Sequence, residues 1–520
     1  MLRVSSMRHS AILAMIAVAA LALVRAQMPP QCYAPRPARE QILRANSSTV
    51  AWGYFWKHRQ PQLYVQSGET FSIEMVSHHN GDMYDWIIKG DAALEDIYNF
   101  NSTSQTISMR GRSGRADGKH IMTGPVYICG AEPGDTLKIE ILDLKPRRNP
   151  MTGKAFSSNG VTDWGWQRRI EGSRRTDSTF IYELIMDADG YAMYAEPRLS
   201  FTWKDAAGNP LVRVPCWPFN GTLTGMNNQT LNWSNPFQSL GIYTISGFNY
   251  TCVDGYVMLG GYHYAGAIVQ HPLPTDDYSV NGKWRLPVSP HIGNIGLASD
   301  VEDTVNSAWP MRTAGNIDHK RLGMGSELYV PVEVAGGLLS AGDCHAGQTN
   351  SEYSGTALET NFNGRLRVTV IKANDPTISP LYKNLPTPLL ENANEWCFHG
   401  YTVNDFLHDP QTATGRVGSW NSLLPPLAVN TYQLMNNTAV VTTNGLMKLG
   451  FTRDQASSIM TFACDWEVTQ VVNTNMGNHM CCLKYIMPVV LDKGAYVPTT
   501  FPGSSRPLRI SNNRISRSWR

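Results

Sequence analysis

Apolar and polar residues alternate with period two over much of this chain, a pattern that predicts strands rather than helices. In Leu63-Tyr-Val-Gln-Ser-Gly-Glu-Thr-Phe-Ser-Ile-Glu-Met-Val76, a tight turn at Ser67-Gly68 leads into a strand whose Phe71, Ile73 and Met75 share one face. Ala131-Glu-Pro-Gly-Asp-Thr-Leu-Lys-Ile-Glu-Ile-Leu142 repeats the phrase, with Leu137, Ile139 and Ile141 on its apolar side. Its Pro133-Gly134 pair suits a type II turn, since proline presets φ and glycine accepts the positive φ that follows. Two copies of one turn-and-strand phrase predict a mainly β fold, a sandwich or barrel of antiparallel sheet with a suggestion of internal duplication. Gly364 to Ile371 reads as a late strand of the same body. The 44 glycines and 31 prolines agree with many short strands and turns.

Helical signals come late. Thr452 can cap a helix at Phe451-Thr-Arg-Asp-Gln-Ala, and Gln455 can answer it three residues on. Ala456, Ile459, Met460 and Ala463 then mark one helical face, and Glu467 to Val472 continues as helix or as strand. A proline-rich stretch between 374 and 388 is the expected boundary. The predicted organisation is a β-rich catalytic body at 27–375, with an excursion near 215–255. A smaller α+β unit at 385–490 and a basic tail at 491–520 follow.

The first 26 residues read as an export signal. Arg3, Arg8 and His9 form a basic start, Ala11 to Val24 is a 14-residue apolar run, and Val24-Arg25-Ala26 offers a cleavage site. Such a run is shorter than the roughly 18 apolar residues of a spanning helix, and nothing later reaches that length, so no membrane span is expected. Removing three arginines and no acid takes the net charge from +2 to −1. A nearly neutral protein gives no sign of a nucleic-acid partner. The arginines after 505 read as a solvated tail. Sequons at Asn46, Asn101, Asn220, Asn228, Asn232, Asn249 and Asn436 suit a secreted or secretory-lumen glycoprotein, and four of them make 220–249 a glycan-bearing excursion. Nine cysteines, none in a Cys-x-x-Cys pair, predict disulfides and at least one free thiol rather than a zinc knuckle.

The densest chemistry follows the strand-like run Leu328 to Val334. Asp343, His345, Gln348, Glu352 and Glu359 crowd ligand and acid/base side chains into seventeen positions. Three further clusters accompany them: Ser77-His78-His79-Asn80-Gly81-Asp82, Lys119-His120, and Gly315-Asn316-Ile-Asp318-His319. Adjacent histidines on a strand face opposite ways, so His78 and His79 can meet one ion only if the chain bends, for which Gly81 is available. Each cluster has an ordinary structural alternative, a satisfied core histidine or a polar surface loop. Together they hold the histidine and carboxylate inventory of a metal-assisted hydrolase. There is no Gly-x-Ser-x-Gly elbow, and Cys344 sits between residues that diverge on an extended chain.

Several phrases resemble the acetamidase/formamidase family of short-chain amide hydrolases: Thr123-Gly-Pro-Val-Tyr-Ile-Cys-Gly-Ala-Glu-Pro-Gly-Asp135, Gly315-Asn-Ile-Asp318, Tyr329-Val-Pro-Val and Gly342-Asp-Cys-His-Ala-Gly-Gln348. Ser351-Glu352, Gly355 to Glu359, Ser77 to Asp82, and the closing Phe451 and Asp465 phrases extend the likeness over roughly 48–490. The resemblance implies hydrolysis of carbon–nitrogen bonds in linear, non-peptide amides, a sandwich-dominated fold and a homo-oligomer. By the same carry-over His78, His79, Asp82, His120 and His345 would hold a divalent metal, zinc by expectation. Glu352 would move the proton beside Asp343, and Asn316 and Asp318 would orient substrate or ligands. Where the family has Gly-Asp before Ser-Glu, this chain has Thr349-Asn350. The expected partner is therefore a small-molecule amide. Two other readings stand beside it: a catalytically weakened secreted glycoprotein on the same scaffold, and a cupredoxin-like copper oxidoreductase, which would need a His-x-His pair that the chain lacks.

Overall fold

A computed structural model describes residues 28–35, 39–98, 119–162, 177–215, 222–224, 230–232, 242–245, 248–253, 256–258, 266–269, 271–408, 431–471 and 475–484. Two large sheets enclose one apolar core, to which Phe71, Ile73, Leu137, Ile139, Leu366 and Val368 contribute from one side and Val126, Ile128, Ile292, Ile295, Leu339 and Ala341 from the other. Burying each of these side chains other than Ala341 contributes about 1.5–3 kcal/mol. The expected mainly β fold is what the chain adopts.

The repeated phrase has a simple structural meaning. Leu63–Gln66 runs parallel to Ile121–Cys129 in the second sheet. Beyond their turns, Thr70–Met75 and Thr136–Pro146 both enter the first sheet, flanking Phe362–Ile371 antiparallel on either side. Each tight turn thus carries the chain from one layer to the other, and the predicted late strand fills the space between the two copies.

Towards the C-terminus, Leu389–Glu391, Glu395–Tyr401, Gly477–Leu483 and Cys464–Gln470 continue the first sheet outward from Glu327–Pro331. The helices Thr431–Lys448 and Arg453–Ala463 pack on these strands around a separate core with Phe398, Leu446 and Ile459. The second helix carries the predicted capping box from Thr452 to Gln455. After it the chain turns to strand, which decides the ambiguity at Glu467. Near 215–255 short strands, Phe248–Val253 among them, form a small sheet of their own. Asn232 and Asn249 lie on strands there, and Asn436 is exposed on the first C-terminal helix. The expected signal at 1–26, the tail at 491–520, Asn101, Asn220 and Asn228 fall outside the described residues.

Disulfides join Cys32–Cys129, Cys397–Cys481 and Cys464–Cys482, while Cys344 is free and buried. Among the described residues no helix is long and apolar enough to cross a membrane.

Candidate metal and catalytic centre

The centre lies where Leu339–His345 is sandwiched in the second sheet. Its neighbours are His291–Gly296, Glu359–Thr360 and Ile121–Cys129, all antiparallel to it. Register puts His291 and Glu359 opposite His345 from the two sides. His120 precedes one of these strands, and Asp318 follows Ala314–Asn316, which pairs with His291–Gly296.

The His-His segment is brought in from the end of Thr70–Met75. Ser77 donates its N–H to Asn361 Oδ1 at 2.7 Å, and the chain then turns into the short 3-10 helix Asn80–Met83. The two rings consequently lie close, with centroids 4.2 Å apart. The anticipated bend is present, but Gly81 serves it differently. A Cβ there would meet the Ala267 carbonyl oxygen at 1.8 Å, so glycine permits close approach of the 266–269 segment.

Asp343 is the hub. Its Oδ1 lies 3.2 Å from His78 Nδ1, and its Oδ2 lies 3.4 Å from His120 Nε2 and 3.7 Å from His345 Nε2. Glu359 Oε2 is 3.6 Å from the same His345 nitrogen. Two groups of ligand atoms fit within ion-binding distance of each other: His78, His120 and Asp343, and Asp318, Asp343 and His345. Asp318 also faces Glu352. His79 and Asp82 stand to one side as a pair, 3.4 Å apart, with Asp82 accepting from Ser158 Oγ. Asn316 donates to the Ala308 carbonyl at 3.4 Å, and its Oδ1 is buried without a hydrogen bond.

Outer partners fix the imidazoles. His345 Nδ1 lies 2.9 Å from Gln348 Oε1, and Gln348 in turn donates to the Asp318 carbonyl at 3.1 Å. His120 Nδ1 lies 3.1 Å from the Ser307 carbonyl. The Gln348 oxygen at His345 Nδ1 calls for the proton there, which leaves that ring's Nε2 lone pair turned towards Asp343, while at His120 Nδ1 the Ser307 carbonyl and the Asn294 amide both lie 3.1 Å away. His291 supports His345 from behind, its Nε2 being 3.2 Å from His345 Nδ1.

Burial controls the titration of these groups. It pushes Glu352, Asp318 and Glu359 well above the usual carboxylate range, and the neighbouring carboxylates push the same way. Burial works the same way on Asp343, but the surrounding imidazoles outweigh it and hold this carboxyl well below that range. His78 and His120 are driven down to about 3 by burial. His345 is raised: burial opposes, yet its hydrogen bond to Asp343 and the adjacent negative charge prevail. Groups pushed apart in this way, in one enclosed site, divide into acids and bases.

The backbone is unusual at the same positions. Asp318, Asp343 and Glu352 have φ of 49°, 51° and 50°, a left-handed conformation that side chains other than glycine adopt rarely. Held strain of this sort gathers at functional sites.

Sequence reasoning assembled most of this centre but passed over His291, which sits in an otherwise ordinary strand. Asn350 is not among the clustered carboxylates: its amide donates to Glu467, which Arg321 also grips at 2.7 and 2.9 Å. Cys344 points away, its Sγ 3.5 Å from Met75 Sδ, and burial raises its thiol pKa. A further set of buried histidines, His319, His399 and His479, packs just beyond Asp318, with His319 Nδ1 2.9 Å from His399 Nε2.

Residues 289–489 match the model of the Acetamidase/Formamidase family, a stretch that includes His291, Asp318, Asp343, His345, Glu352 and Glu359 but neither His78 nor His120. A Schizosaccharomyces pombe protein provisionally named a formamidase is 25% identical over 353 residues, covering 66% of this chain and 70% of that protein. The acetamidase of Yersinia enterocolitica is 16% identical, with 87% of this chain and 94% of that one superposed at a TM-score of 0.50, a likeness of fold. For the acetamidase of Bacillus halodurans the values are 18%, 86%, 98% and 0.48.

Proposed function

Residues 289–489 carry the acetamidase/formamidase family's pattern, and from that premise we propose that the chain hydrolyses the carbon–nitrogen bond of short linear amides such as formamide or acetamide. The products are a carboxylate and ammonia. The observation that carries this reading is the meeting of Asp318, Asp343, Glu352 and Glu359, all buried, with the inward nitrogens of His78, His120 and His345.

That donor set is nitrogen and carboxylate oxygen without thiolate, and several of its buried atoms receive no hydrogen bond. It suits a divalent cation such as zinc, which His78, His120, Asp343 and His345 would hold. When bound, such an ion polarises an amide carbonyl and makes nearby water more acidic.

The proton movements belong to the side chains. Glu352 Oε2, buried and accepting no hydrogen bond, takes a proton from water as the water oxygen bonds to the amide carbon. The same proton passes to the nitrogen as the carbon–nitrogen bond breaks, and ammonia leaves. Burial and the neighbouring carboxylates raise this carboxyl above the usual carboxylate range, which strengthens it as the acceptor of the first proton. Asp318, against Glu352, keeps the pair from being doubly charged. Asn316 Oδ1 is the acceptor for the substrate NH2 group.

Purified protein is expected to release ammonia from formamide or acetamide. Glu352→Gln should lower kcat by about 10²–10⁴-fold, and His345→Ala should abolish turnover while circular dichroism stays that of the folded chain. Undiminished ammonia release in both variants would refute the assignment.

A further inference from the structure

We propose that Cys397, Cys481 and His319 form a separate cation site, available only when the Cys397–Cys481 disulfide is reduced, that takes a thiophilic dication such as zinc. It stands apart from the amidase reading, since its two cysteines lie on the C-terminal strands and no carboxylate belongs to it. One nitrogen of His319 and the two sulfurs lie within 4.8 Å of one another, and all three residues are buried.

Strand register builds the site. Where Glu395–Tyr401 pairs with Gly477–Leu483, Cys397 stands directly opposite Cys481 and His399 opposite His479. Residues two apart on a strand share a face, so the histidines lie on the side that Cys397 and Cys481 turn to the main core. Trp396, Phe398 and Cys482 pack on the other side with the C-terminal helices. His319 reaches the first face from beyond Ala314–Asn316, its ring stacked on His479 at 3.9 Å.

Hydrogen bonds then decide which nitrogen His319 can offer. In a neutral imidazole one nitrogen donates and the other accepts. The Pro388 carbonyl can only accept, so His399 Nδ1, 3.0 Å away, donates to it. His399 Nε2 is therefore an acceptor, and His319 Nδ1 donates to it at 2.9 Å. What remains is the lone pair of His319 Nε2, which makes no hydrogen bond in a residue 0% exposed. A buried acceptor without a donor is costly, and a plain structural disulfide has no use for one beside it.

Nor is this disulfide needed to keep the strands together. Seven residue pairs join them, and Cys464–Cys482 is a second staple on Gly477–Leu483. A dithiol reductant breaks the Cys397–Cys481 bond as it closes its own disulfide, and each protein sulfur gains a proton. Both protons leave when the thiolates bind the ion. Two thiolates about 2.3 Å from one tetrahedral ion sit roughly 3.8 Å apart. Directly opposed residues, with Cβ atoms about 4.5–5.5 Å apart, reach that separation while the strands stay paired. Thiolate and imidazole together favour zinc over hard ions.

The test uses the full chain, treated anaerobically with a dithiol, desalted and titrated with Co²⁺, whose bonds to thiolate absorb in the near ultraviolet. The amidase centre adds no such band, because Cys344 is turned towards Met75. The reduced chain should show the band and the untreated chain should not. Reduced Cys464→Ser/Cys482→Ser should keep it, and Cys397→Ser/Cys481→Ser should lose it. His319→Gln should bind Co²⁺ at least about tenfold more weakly, the smaller loss that even an outer partner of a metal causes. A reduced, folded chain without the band would overturn the proposal. So would a band in the untreated chain or in Cys397→Ser/Cys481→Ser, its absence from folded Cys464→Ser/Cys482→Ser, or unchanged affinity in His319→Gln. Loss of the folded circular dichroism on reduction would overturn it equally, since the site exists only while the strands stay paired. Ammonia release is read on the untreated chain, so failure here leaves amide hydrolysis standing.

Discussion

Replacing Gly293 by alanine is expected to disable the centre without unfolding the sandwich. A Cβ at this position would lie 2.4 Å from His345 Cε1, 2.7 Å from the Asp343 carbonyl oxygen and 2.8 Å from Asp318 Oδ1. Ordinary contact begins near 3.4 Å, so the His345 ring must retreat by about 1 Å. The backbone cannot supply that retreat, because His291, Ile292 and Asn294 are paired in register with His345, Cys344 and Gly342 around it. What can move is the His345 ring and the Asp318 carboxylate, the very groups the proposed centre needs in place. Overpacking of this kind costs about 1–3 kcal/mol of stability. A 1 Å misplacement of a reacting group costs about 10²-fold in rate. Ammonia release at saturating amide, measured beside thermal unfolding, separates the two effects: kcat should fall about 100-fold while the chain stays folded at assay temperature. If Gly293→Ala turns over within about threefold of wild type, then the close meeting of His345 and Asp318 is not required for the reaction.

Two other outcomes are expected. Asn350→Asp would set a carboxylate against Glu467, already held by Arg321, so the variant should melt lower and turn over no faster; a large gain in ammonia release would instead show that a charge is missing there. His399 is fully buried and held down to about 3 by burial and then by His479. The folded chain therefore refuses a proton that the unfolded chain accepts near 6.5, so stability present above that value is lost as pH falls towards 3. From pH 7 to pH 5 the loss is about 2 kcal/mol for this residue alone; urea unfolding should show the pH slope flattened in His399→Gln, and parallel slopes would refute the reasoning.

How far the sequence could be read follows from the range of the interactions involved. The two turn-and-strand phrases and the Thr452 cap depend on neighbours within a few residues, so periodicity and turn chemistry disclose them. The helix Thr431–Lys448 was not anticipated, because Asn436, Asn437, Thr438, Val440 and Val441 are poor helix formers. Packing of Leu434, Thr438 and Leu446 onto the Glu395–Tyr401 sheet overrides that preference. Within the site, the clusters at 78–82, 120, 316–318 and 343–352 were visible as local concentrations of ligand types. Their convergence was legible only through the family resemblance, since strand register decides it. His291 illustrates the limit: its importance lies in standing opposite His345, 54 residues away.

The role of Gly293 and the strain at the carboxylates have a common origin. Asp318, Asp343 and Glu352 each hold a left-handed backbone, at a cost of about 1–3 kcal/mol apiece. Asp318 and Asp343 are also among the most deeply buried acids in the described residues, and Glu352 is buried with them. Neither feature helps the chain fold, and asparagine or glycine at those positions would relieve the backbone strain. The arrangement persists because strands on both sides of Leu339–His345 and the core beneath them determine the geometry several times over. Stability gained in the sandwich thus offsets a local concentration of unfavourable charge and torsion. A cation entering the centre would relieve the charge but not the torsion. Metal loading should therefore raise stability far more than removal of any single left-handed side chain does, and that difference follows from the burial of the carboxylates rather than from the shape of the loop.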